Sequence, residues 1–161
     1  MAICFRHYTA DAGITDDYYK VREFFIRLGY AEFTYVRWDW MITHLWLDKT
    51  AVGRIGVWED QGTVVGVATF DTRIGDAYCL ALPEYAFLKK DMLLYAKENL
   101  ATEGNSTVVI SDRDLFFQNA AADLGYIATP NREYDAAFYL DKTSTAYTLP
   151  EGFRITTQET Y

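Results

Sequence analysis

Cysteine, histidine and proline are scarce in this chain of 161 residues, which has two, two and three of them. Cys4 and Cys79 form no CxxC pair. Neither stands at a metal-ligand spacing from His7 or His44, so zinc sites and a disulfide framework drop out. Two isolated thiols fit buried free cysteines in a reducing compartment, and a cytoplasmic location is expected. The opening residues lack the apolar core of a signal peptide. No stretch approaches the ~18 apolar residues of a membrane-crossing helix, so no membrane partner is expected. Positive charge is also short: 15 Lys and Arg face 23 Asp and Glu, a net charge of −8. Phosphate backbones are repelled by such a surface, which argues against a nucleic-acid partner. An acidic solvated surface and a cationic small substrate both fit it.

What is abundant is apolar. Half the residues are hydrophobic and 17% are aromatic, which excludes disorder. The length suits one domain with a real core. Most of the aromatic surplus belongs in that core, with some left for a partner-facing surface.

The periodicity predicts a strand at 3–8 and a helix at 16–28, with Tyr18, Val21, Phe24, Phe25 and Leu28 on one face and Gly29 as its stop. A second helix is expected at 36–47. Trp38, Met41, Ile42, Leu45 and Trp46 fall at i, i+3, i+4, i+7 and i+8, a full inward stripe. Strands follow at 55–59 and 63–70 around an Asp60-Gln61-Gly62 turn, and a third at 77–82. A helix at 84–101 turns Leu88, Met92, Tyr95, Ala96 and Leu100 inward. A fully buried strand is expected at 107–110. Ser111 or Asp112 caps a helix at 113–124 that stops at Gly125. Two last strands are expected at 126–128 and 136–140. The order β-α-α-β-β-β-α-β-α-β-β makes a mixed α/β sheet with helices on both faces.

Residues 76–100 concentrate the functional information. An apolar strand meets Pro83 and opens a long helix, and a helix N-terminus just beyond a strand's end is a natural anion cradle. Glycine normally lets backbone approach the oxygens of a diphosphate. This turn carries Phe87, Leu88, Lys89, Lys90 and Asp91 instead.

The element order resembles the GNAT superfamily of acyl-CoA-dependent N-acetyltransferases. Trp58-Glu59-Asp60-Gln61-Gly62-Thr63-Val64-Val65-Gly66-Val67-Ala68 looks like its second and third strands. Leu82-Pro83-Glu84-Tyr85 looks like the start of its cofactor helix, and Leu124-Gly125-Tyr126 like the Leu-Gly-Phe/Tyr after its fourth helix. The similarity covers about residues 3–141. It implies that acetyl-CoA would lie where the fourth and fifth strands splay, with pantetheine on the backbone of Leu80, Ala81 and Leu82. The diphosphate would lie on the amides of Phe87, Leu88, Lys89 and Lys90. In the family's Arg/Gln-x-x-Gly-x-Gly/Ala signature, the aligned residues here are Ala86, Lys89 and Asp91. Side chains then fill the phosphate space, and Asp91 repels an anion. Lys89 and Lys90 are either replacement cations or a solvated helix face. The position of the family's acid tyrosine is Ala121, which has no proton to give. Glu59 is a candidate general base through water, or a turn-flanking charge. His7 and His44 suit packing or surface roles.

Residues 142–161 follow as a polar linker and then Phe153-Arg154, which echoes Phe5-Arg6. The resemblance implies the N-terminal half of a tandem acetyltransferase, with 142–161 the linker and start of a second GNAT domain. The rival is a C-terminal arm packing on this or a neighbouring chain. The expected function is a degenerate acetyltransferase domain that packs, shapes a substrate entrance or mediates association with a second domain or copy. A working enzyme gripping acetyl-CoA through Lys89 and Lys90 is the first alternative. A binding domain using the same cleft for another small ligand is the second.

Overall fold

The computed structural model describes residues 2–29, 32–134 and 148–154. The chain divides into two units, Met1–Asn131 and Arg132–Tyr161. The first contains β1 (Ile3–His7), α1 (Asp16–Leu28), α2 (Tyr35–Thr43), β2 (Gly56–Asp60), β3 (Thr63–Phe70), β4 (Asp76–Ala81), α3 (Lys89–Asn99), β5 (Thr107–Val109) and α4 (Leu115–Asp123). The five strands form one sheet in chain order. β1 to β4 are antiparallel neighbours, and β5 joins β4 in parallel. This is the expected mixed α/β sheet.

Helices cover both faces, and neighbouring residues of β4 show it. Tyr78 meets Phe33 and Arg37 on the α1–α2 side, while the thiol of Cys79 reaches the carbonyl of Met92 in α3. Side chains alternate across a strand, so β3 and β4 must be apolar along their whole length. They are: seven of the eight β3 residues and five of the six in β4 are buried. Gly66 lies under α3, where an added Cβ would sit 2.6 Å from the Met92 methyl. A bulge between Trp58 and Glu59 lets Val65 stand opposite neither residue. Burial pushes the Cys79 thiol up to about 12, so it is inert packing.

Capping sets the helix limits. Thr15 accepts from the Tyr18 amide to start α1, with Asp16 and Asp17 in its first turn. Thr34 starts α2 in the same way. That helix ends at Thr43, four residues earlier than the spacing predicts. The Thr43 hydroxyl takes the carbonyl of Asp39 at 2.8 Å, and the His44 ring accepts the Trp46 amide at 3.1 Å. Local side-chain bonds of this kind compete with helix propagation. Trp38, Met41 and Ile42 are buried, but Leu45 is 95% exposed and Trp46 69%.

Four further expectations are corrected. The helix expected at 84–101 opens as a 3-10 segment, Pro83–Leu88, with Tyr85 off helical dihedrals, and becomes α-helical only at Lys89. β5 is exposed at Thr107 and half-buried at Val108 and Val109, because it is the outer strand among the described residues. Residues 126–128 are not a strand. The Gly125 amide bonds to Ala122 and the Tyr126 amide to Ala121, with Gly125 at φ +86°, so these residues close α4 as a Schellman turn. The cap of α4 is Asp114 rather than Ser111 or Asp112.

The strand expected at 136–140 lies outside the described residues. In the second unit, a turn brings the Phe153 amide to the Pro150 carbonyl at 3.1 Å. The expected linker and second-domain start at 142–161 falls largely outside the described residues.

Candidate functional site

The C-terminal end of β4 is the place where backbone becomes available. The Leu82 amide donates to the Val65 carbonyl at 3.0 Å, and the β3–β4 register pairs Leu80 with Val67. Hydrogen-bonding direction alternates along an antiparallel strand. Leu80 and Leu82 therefore turn their backbone groups to β3, and Ala81 turns its groups to the opposite edge. On that edge the parallel ladder to β5 ends at Tyr78 and Val109. β4 thus runs three residues past its partner, to Ala81. Of the three residues expected to hold pantetheine, Ala81 alone has the orientation for it.

The segment beyond differs from an open anion cradle. The Lys89 amide donates to the Ala86 carbonyl, and the Tyr85 amide to the Leu82 carbonyl. These amides are satisfied within the 3-10 segment, which an α-helix N-terminus would leave free. Phe87 is exposed and Leu88 is buried. Lys90 is exposed on the solvent face.

Lys89 is not a surface cation. It is 8% exposed, its ammonium pairs with the Asp114 carboxylate, and it lies 4.7 Å over the ring of Phe117. Asp114 also caps α4 by accepting the Phe117 amide at 2.9 Å. Burial pushes the Asp114 carboxyl up. The hydrogen bond and charge of Lys89, together with the Phe117 amide, outweigh burial and hold it below the ordinary carboxylate range. At the position expected to offer an anion a cation, the chain instead forms an ion pair that joins α3 to α4.

Glu59 lies on β2, two strands from β4, and is tied up. Arg6 donates to it from Nε at 3.1 Å and Nη2 at 2.8 Å, and grips Asp17 with two bonds of 2.8 Å. The β1–β2 strands are thereby fastened to α1. Glu59→Gln keeps an acceptor and removes the charge. It is expected to cost about 1 kcal/mol in urea unfolding. An unchanged midpoint would mean that Asp17 alone holds Arg6.

No protein-family model matches the chain, and no curated protein does. Ala121 is buried in α4, and its carbonyl closes the Schellman turn. The Tyr126 hydroxyl meets Ser106 at 2.8 Å and the Leu93 carbonyl at 3.3 Å, a packing role.

A polar cleft of about 310 Å³ adjoins the end of β4, lined in part by Arg27, Asp60, Leu82, Glu84 and Tyr85. The Tyr85 hydroxyl donates to Asp60 at 2.8 Å, which raises the phenol's pKa. Sequence reasoning missed this cleft because its residues come from α1, the β2–β3 hairpin and the 3-10 segment. No spacing rule joins them. Among the described residues, no group of three or more His, Cys, Asp or Glu could hold a metal. No helix among them is long and apolar enough to cross a membrane.

Proposed function

We propose that this chain carries an acyltransferase-like domain of the GNAT type whose acetyl-CoA cradle is filled, and that it acts as a structural or substrate-shaping domain beside a second domain or copy. Support for the family reading comes from the meander of β1 to β4, the parallel β4–β5 pair, and the ladder that stops while β4 continues to Ala81. The observation that carries the loss of cofactor binding is Lys89, buried in its pair with Asp114 where backbone would have to approach a diphosphate. A grip on acetyl-CoA through Lys89 and Lys90 would require that pair to break. The polar cleft beside Tyr85 favours a second reading, in which the domain binds another small ligand there.

Thermal shift tests the first reading. Acetyl-CoA is compared with adenosine 3′,5′-bisphosphate, its nucleotide part, at equal concentration. The expected result is no stabilisation by acetyl-CoA beyond that of the nucleotide. A ligand at 100 times its Kd adds about 2.7 kcal/mol, which is readily seen. An added shift specific to the acyl-pantetheine arm would overturn the proposal.

A further inference from the structure

Three loops converge at the opposite end of the sheet from the candidate site. They follow α2, join β3 to β4, and join α3 to β5. Hydrogen bonds fix them together: the Asp48 amide to the Thr72 carbonyl at 2.8 Å, and the Thr102 hydroxyl to the Ile74 carbonyl at 3.1 Å. Between them lies a groove of about 570 Å³, lined in part by Trp46, Asp48, Arg54, Arg73 and Glu103. That volume is in the range of small-molecule sites.

We propose that this groove binds a small aromatic ligand with a single anionic group, a planar ring bearing one carboxylate or one phosphate. The indole of Trp46 is the platform. It is exposed, yet held in place by the edge of His44 at 5.1 Å and by the bond from its own amide to that ring. A fixed, exposed indole is a stacking surface for a planar ring. Arg54 and Arg73 are the anion grip. Neither guanidinium has an ion pair or hydrogen bond among the described residues, whereas Arg6, Arg22 and Arg37 are each paired with a carboxylate. In a chain whose net charge is −8, these two guanidinium forks bring the groove's lining to charge balance with Asp48 and Glu103, and Arg54 adds to the Thr50 hydrogen bonds in lowering the pKa of Asp48. Their planar donors match carboxylate and phosphate oxygens.

The carboxylates of the groove set the ligand's limits. Asp48 already accepts the Thr50 amide at 3.0 Å and its hydroxyl at 2.6 Å, which holds its carboxyl below the ordinary range. Glu103 remains as an acceptor for a ring N–H and repels a second anionic group. One ring and one anionic group therefore fit better than a polyanion.

Calorimetric titration of the full chain tests this with indole-3-acetate and AMP as probes, and adenosine and inorganic phosphate as controls. At least one aromatic anion is expected to bind with Kd at or below about 1 mM. The controls should bind at least ~10-fold more weakly. The tighter of the two probes identifies carboxylate or phosphate as the anion. R54Q with R73Q, and separately W46A, should each weaken binding by at least ~10-fold. All three side chains are exposed, so melting temperatures should stay close to that of the parent chain. Failure of both probes, equal binding of a control, or binding indifferent to these substitutions would overturn the proposal.

Discussion

Lys89→Ala is expected to lower the unfolding free energy by about 3–5 kcal/mol, the range for removing one partner of a buried ion pair. The lysine stem leaves a void beside Phe117, and the Asp114 carboxylate stays partly buried without its cation. The Asp114–Phe117 cap survives, so the loss reports the pair rather than the helix start. Lys89→Met restores the stem but not the charge. Combined with Asp114→Asn, which keeps the cap, it should recover most of the stability. Urea unfolding at neutral pH measures all three. A loss under about 1 kcal/mol for Lys89→Ala would show that the pair is solvated and exchangeable.

The pH dependence follows from the same pair. The folded pKa of Asp114 lies below its unfolded value, which is about 3.9. Its contribution is therefore complete above the unfolded value and is lost as pH falls through the folded one. Lys89→Ala removes the lysine's hydrogen bond and charge, which lower this pKa, and leaves the Phe117 amide alone against burial, which raises it. The stability gap between parent and variant should narrow on acidification below about pH 4. A gap that stays constant down to pH 2 would exclude the ion pair as its source.

Much of this arrangement was open to sequence reasoning, and the part that was not has physical causes. α1, β3 and β4 follow from periodicity because each buries a regular stripe or run. The position of Lys89 was readable too. It stands at i before Met92, Leu93, Ala96 and Leu100 at i+3, i+4, i+7 and i+11, so the helix turns it inward with them. Treating it as a solvated face follows from its charge alone. What it meets was not readable, because Asp114 lies 25 residues on, across β5. Glu59 is the same case: Arg6 is its neighbour only through the β1–β2 register, and Asp17 only through the docking of α1. The cleft beside Tyr85 and the groove beside Trp46 each gather side chains from three or more segments, and no local pattern encodes that.

The stripe of α2 shows how a true periodicity can overrun its helix, and it sets up the second large effect. Trp38→Ala is expected to cost about 3–5 kcal/mol, whereas Leu45→Ser should change stability by no more than about 0.5 kcal/mol. Both residues belong to one apolar pattern, seven positions apart. Trp38 is fully buried. Its ring meets Tyr8 at 5.5 Å, Phe25 at 5.8 Å and Tyr18 at 6.3 Å, and its indole N–H donates to the Tyr18 carbonyl at 3.3 Å. Truncation empties the point where β1, α1 and α2 meet, and removes the second donor to a carbonyl that keeps its helical bond. Trp38→Phe fills part of the cavity and should cost roughly half as much. Leu45 lies past the Thr43 stop and contributes almost nothing to burial. Thermal melts of the three variants give the comparison, with each kcal/mol shifting the midpoint by roughly 2–4 °C at this chain length. If Leu45→Ser destabilised the protein as much as Trp38→Ala, α2 would continue through residue 46 in solution. The Trp46 platform of the anion groove would then be buried, so this comparison tests the geometry on which that groove depends.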